Sequence, residues 1–162
     1  MFIKPGDMQF PKQFIRAGEA FNTFETHVPA PYFRKSFTLP EAAEGKILIT
    51  ACGFYELYFN GKRITKGALA PYISNPDDMV YFDCYDVSLN AGKNVIAVLL
   101  GNGFQNNPGG YTWWFDRGDF RGAPQFALRI SQGEQVILES DESFKTAPSP
   151  IVFDDYRFGE HY

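Results

Sequence analysis

Two stretches of this chain gather side chains that could do chemistry. The first, Ile73-Ser74-Asn75-Pro76-Asp77-Asp78-Met79, sets short oxygen-bearing side chains close together at Asn75, Asp77 and Asp78. Hard cations such as calcium take oxygen ligands of this kind, and the vicinal hydroxyls of a sugar can complete the shell. The same residues also make an ordinary solvated Pro-Asp turn, so both readings stand. The second stretch runs from Asn102 to Asp119 and holds both tryptophans of the chain, Trp113 and Trp114, among Phe104, Asn106, Asn107, Asp116 and Arg117. An indole face stacks on the C–H surface of a sugar while neighbouring amides and carboxylates bind hydroxyls. Large aromatics also cover open edges of folds or pack against other domains, and that reading stands beside the first.

Other chemistry is scarce. His27 and His161 have no Ser, Cys or acid partner at the spacing of a nucleophilic or zinc motif. The acid pairs Asp77-Asp78 and Asp154-Asp155 are adjacent, and on an extended chain alternation sends neighbouring side chains apart. Glycoside hydrolysis needs two carboxyls facing each other across a substrate, roughly 5–9.5 Å apart. No catalytic residue is therefore expected here. Cys52 and Cys84 could meet across neighbouring strands, yet two cysteines in a chain of this size fit buried free thiols at least as well.

The elements that must position these loops read as strands. Tyr55, Leu57 and Phe59 alternate with Phe54, Glu56 and Tyr58, and Asn60-Gly61 supplies the positive-φ pair of a tight hairpin leading to a returning strand. Asn90 to Asn94 form a second turn, and Val95 to Leu100 is an apolar run suited to a strand buried on both faces. Gln132-Gly133 marks another hairpin. Strands are expected at about 32–39, 46–52, 54–59, 80–85, 94–100, 124–131, 134–139 and 150–154. That cadence is the signature of an all-β protein, an antiparallel β-sandwich or jelly roll. Residues 1–30 carry Pro5, Pro11 and Pro29 and read as an irregular N-terminal arm pinned by Phe10, Phe14, Phe21 and Phe24 onto a sandwich of residues 31–162.

The series Gly53-Phe54-Tyr55-Glu56-Leu57, Asn60-Gly61-Lys62-Arg63, Leu69-Ala70-Pro71, Tyr85-Asp86-Val87 and Leu99-Leu100-Gly101-Asn102-Gly103-Phe104 resembles the N-terminal β-sandwich domain of bacterial α-L-rhamnosidases. Phe33-Arg34-Lys35-Ser36-Phe37, Asp141 to Ile151 and Phe158 to Tyr162 extend the resemblance over about residues 31–162. Phe104 and Phe144 stand where the family usually has Trp. The resemblance implies a galactose-binding-like sandwich that supports a separate catalytic (α/α) barrel, where paired acids cleave terminal L-rhamnose with inversion. It implies that this chain is the front piece of a longer polypeptide, without the catalytic residues. It also carries an alternative, a calcium-assisted L-rhamnose-binding module, in which Asp77 and Asp78 would be the metal ligands. An unrelated galactose-binding-like sandwich from another sugar enzyme is a third reading.

Composition fits one domain that folds without metal or disulfide: 162 residues, 17 Phe and 9 Tyr for an interdigitating core, and 15 Gly and 11 Pro for turns. A net charge of −4 with interspersed signs argues against nucleic acid and anionic membranes as partners. Carbohydrate and the catalytic domain of the same polypeptide are the partners expected. Residues 1–7 have no signal-peptide core, so a cytoplasmic location is expected.

Overall fold

The computed structural model describes residues 10–74, 79–110 and 114–162. Eleven strands follow in chain order: β1 Pro31–Leu39, β2 Ala43–Cys52, β3 Phe54–Phe59, β4 Lys62–Arg63, β5 Asp83–Leu89, β6 Gly92–Gly101, β7 Gln125–Gln132, β8 Gln135–Glu139, β9 Lys145–Pro148, β10 Phe153–Asp155 and β11 Gly159–His161. A 3-10 turn covers Phe115–Arg117. The strands pair antiparallel in a five-stranded sheet, β4-β3-β6-β1-β9, a four-stranded sheet, β5-β2-β7-β8, and a hairpin, β10-β11.

Alternation decides which side of each sheet is buried. Phe33, Tyr55, Leu57, Phe59, Ile96, Val98 and Leu100 project inward from the larger sheet, and Ile47, Ile49, Val87, Leu89, Phe126, Leu128 and Ile130 meet them from the smaller. Phe33 meets Phe126 edge-on with ring centroids 5.0 Å apart. A polar link crosses this interior. The buried Tyr55 hydroxyl of β3 bonds the Asp83 carboxylate of β5 and lies 3.1 Å from the Tyr85 hydroxyl.

The Asn60-Gly61 hairpin forms with both residues at positive φ, +47° and +78°, so Phe59 faces Lys62 across a two-residue loop. Asn60 then locks the loop to β6: its side-chain oxygen accepts the Val95 N–H at 2.8 Å and its amide donates to Asn94 at 3.0 Å. Gly133 likewise takes φ +57° in the turn joining β7 to β8.

Several expectations need correction. The run Val95–Leu100 is buried on one face only: Ile96, Val98 and Leu100 are fully buried, while Val95, Ala97 and Leu99 on the outer face are half-buried. The strand expected at 80–85 begins at Asp83, because pairing with β2 starts at Asp83 opposite Ile49, and the Tyr81 carbonyl accepts the Thr50 hydroxyl instead. The strand expected at 150–154 is the short β10, which pairs with β11 at the chain's end. Strand β9, an exposed Lys-Thr-Ala-Pro edge, has no alternating signal.

In the arm, Phe10 packs on Phe82 at 4.4 Å, whereas Phe14, Phe21 and Phe24 are exposed. Its firm anchors are backbone and amide groups. Ile15 exchanges both backbone hydrogen bonds with Phe126, the Gln13 carbonyl accepts the Ser140 hydroxyl, and Asn22 is fully buried. Both cysteines are free, Cys52 half-buried and Cys84 exposed, so the expectation of buried thiols fails for Cys84. Among the described residues, no helix is long and apolar enough to cross a membrane.

Candidate functional site

Where β6 ends, Asn102 turns its side chain inward and ties three segments together. Its amide donates to the Val28 carbonyl of the arm at 2.7 Å and to Asp154 of the C-terminal hairpin at 2.9 Å. Its oxygen accepts the Asn106 amide at 2.9 Å, and its backbone N–H donates to Asp154 at 2.8 Å. Asn106 continues inward, donating to the Ala20 carbonyl and accepting the Asn22 N–H. Asn107 donates to Asp155 at 3.1 Å and accepts from the Gly109 N–H and from Arg157. Arg157 closes the set by pairing with Asp155 at 2.9 Å and donating to the Gly109 carbonyl. Buried amides satisfied in this way hold a loop in one conformation.

The two adjacent aspartates are shifted in opposite directions from the ordinary carboxyl value. Burial pushes the Asp154 carboxyl up, against the hydrogen bonds from Asn102 and the Gly103 backbone. Burial also acts on Asp155, but the Arg157 guanidinium and backbone outweigh it and hold that carboxyl below its ordinary value. The pair points to separate partners, as strand alternation requires. The other carboxylates near the hairpin are engaged too: Glu56 with the Tyr58 hydroxyl and Arg63, and Glu160 with the Tyr162 hydroxyl.

Of the binding candidates, Asn106 and Asn107 are buried with their amides committed to the protein itself. Asp116 is half-buried and packs so closely on Gly109 that a Cβ there would lie 2.0 Å from its oxygen. Trp114 is 55% exposed, with the Arg117 guanidinium 4.2 Å over its ring. Phe104 sits half-buried among Phe54, Phe115 and Tyr156. Asn75, Asp77, Asp78 and Trp113 lie outside the described residues. Among the described residues, no group of three or more His, Cys, Asp or Glu side chains could hold a metal ion.

The two nominated loops do meet in space. A pocket of about 340 Å³ is lined by Ile73 and Ser74 from one loop with the adjacent Tyr72, and by Phe104 and Phe115 from the other with the adjacent Phe120. Phe14, Phe54, Val80 and Tyr81 add to its apolar wall, and Cys52 of β2 also lines it. Apart from Phe104, sequence reasoning did not place these residues together, since they come from four separated segments. Nor did it single out Asn22 or Asn102. The one local signal was the run of amides and glycines from Asn102 to Gly110, where Gly103, Gly109 and Gly110 all take positive φ.

The family model described as "Alpha-L-rhamnosidase N-terminal domain" matches residues 41–162. An α-L-rhamnosidase of Formosa agariphila is 32% identical over 144 residues, covering 82% of this chain and 15% of that protein. The native α-L-rhamnosidase structure from Aspergillus terreus superposes with a TM-score of 0.78 at 25% identity, covering 92% of this chain and 18% of that one. The Streptomyces avermitilis α-L-rhamnosidase, solved in complex with L-rhamnose, gives a TM-score of 0.69 at 27% identity over 83% of this chain and 14% of that one. The chain thus spans about 15% of the length of the Formosa relative it matches.

Proposed function

Because this chain belongs to the α-L-rhamnosidase N-terminal domain family, we propose that it is a non-catalytic accessory domain supporting the catalytic barrel of an enzyme that hydrolyses terminal α-L-rhamnose. The observation that carries the reading is the Asn102–Asn106–Asn107 network. It commits the amides that a sugar site would use to joining arm, loop and C-terminal hairpin. In this reading residues 1–30 are an arm on a single sandwich of residues 31–162.

A second reading, a calcium-assisted L-rhamnose or other carbohydrate-binding module, is favoured by Trp114, whose indole lies exposed at the surface. Calorimetric titration of L-rhamnose, once with calcium and once with chelator, separates the two. Absence of heat in both conditions supports the accessory domain. Calcium-dependent heat that disappears in Asp77→Ala overturns it in favour of the module.

A further inference from the structure

The pocket between the two loops is built of rings. Phe54 meets Phe104 at an interplanar angle of 79°, Phe104 meets Phe115 at 90°, and Phe115 meets Phe120 at 67°. Tyr72 and Tyr81 form a second edge-on pair at 85° lining the same space. Such a zigzag offers ring faces and ring edges together, the surroundings in which a further aromatic ring finds both offset-stacked and edge-to-face partners.

Polar groups are few. The Thr50 hydroxyl is given to the Tyr81 carbonyl and the Gln105 amide to the Phe120 carbonyl, which leaves the Ser74 hydroxyl, the Gln105 side-chain oxygen and the phenol oxygens of Tyr72 and Tyr81 as the polar side-chain atoms of the described lining residues besides the Cys52 thiol. A pyranose set against the Phe54, Phe104, Phe115 and Phe120 rings would turn hydroxyls toward a wall with no side-chain partner for them, a costly outcome in an apolar space. The volume, about 340 Å³, is that of a small-molecule site. Tyr72 is 81% exposed, so its ring is reachable from outside.

We propose that this pocket is a binding site for a small, flat aromatic compound bearing few hydroxyl groups, separate from any recognition of the sugar and independent of the accessory role. Half-buried Cys52, which lines the pocket, and exposed Cys84 on β5, which does not, provide an internal comparison.

The test uses the 162-residue chain, 4-methylumbelliferone as the fluorescent probe, and iodoacetamide to alkylate the two thiols. The expected result is saturable binding that slows alkylation of Cys52 and not of Cys84, and that excess L-rhamnose does not displace. Phe120→Ala and Tyr72→Ala, both at exposed positions and hence tolerated by the fold, should each weaken binding up to about tenfold. Absence of saturable binding, equal protection of both thiols, displacement by L-rhamnose, or undiminished affinity in both variants would each overturn the proposal. So would self-association relieved by Phe120→Ala without probe binding, since a second copy would then fill the pocket.

Discussion

Replacing Asn102 by Ala tests whether one side chain holds the arm, the long loop and the C-terminal hairpin together. The substitution removes two neutral hydrogen bonds, to the Val28 carbonyl and from the Asn106 amide, and one to the Asp154 carboxylate. At about 1 kcal/mol for each neutral bond and about 2 kcal/mol for the charged one, the loss comes to roughly 4 kcal/mol. For a domain of this size that lowers Tm by about 8–16 °C. The pH dependence adds a second handle. Burial already pushes the Asp154 carboxyl up, and Asn102 opposes that shift, so its removal raises the carboxyl further. A group whose value is raised on folding contributes fully below its unfolded value and loses that contribution as pH rises through the folded one. The defect of Asn102→Ala should therefore be larger at pH 7 than near pH 4. Urea unfolding followed by near-UV circular dichroism at both pH values measures it. A loss below about 1 kcal/mol at pH 7, well short of the bond sum, or a defect that grows on acidification, would refute the reasoning.

Tyr55→Phe should cost about 2 kcal/mol by removing the link to Asp83 and Tyr85 across the core. Burial, with those two bonds, holds the Tyr55 phenol far above its ordinary value, so wild-type stability falls as pH rises past about 10; the variant should fall less steeply in alkaline denaturation. The Lys35 ammonium and the Ser143 hydroxyl hold the Asp141 carboxyl down at about 2. Its contribution is present above about pH 3.9 and lost as pH drops towards 2, and Lys35→Met should flatten that acid limb while costing below about 1 kcal/mol, because the pair is partly exposed. Gly109→Ala combines a residue at φ +78° with a Cβ 2.0 Å from Asp116, and should lower stability by about 2 kcal/mol or more in thermal unfolding. A Tm within experimental error of wild type would count against that geometry.

Much of the architecture was legible because it is local. Tyr55, Leu57 and Phe59 point to the core at every second position, and Asn60-Gly61 adopts the two positive φ angles of its hairpin. Where the local signal was weak, the reading slipped. Val80, Tyr81 and Phe82 have strong strand composition yet lie outside β5, since pairing with β2 sets where that strand starts. The phenylalanines of the arm were expected to pin it, but hydrophobicity alone cannot say which rings find a partner. Phe10 has Phe82, while Phe21 and Phe24 stay exposed beneath the guanidinium groups of Arg121 and Arg157.

The alternating strands, their tight turns and the family series from Gly53 to Phe104 are written in neighbouring residues, because each depends on groups within hydrogen-bonding or pleat distance along one chain. The arrangement of the loops comes from packing across the fold. That packing turned Asn106 and Asn107 inward onto Asp155 and the arm, and it brought Phe14, Phe54, Tyr72 and Phe120 around one pocket. Those contacts join residues tens of positions apart, and their partners follow from how two sheets stack, a long-range outcome that no local pattern encodes.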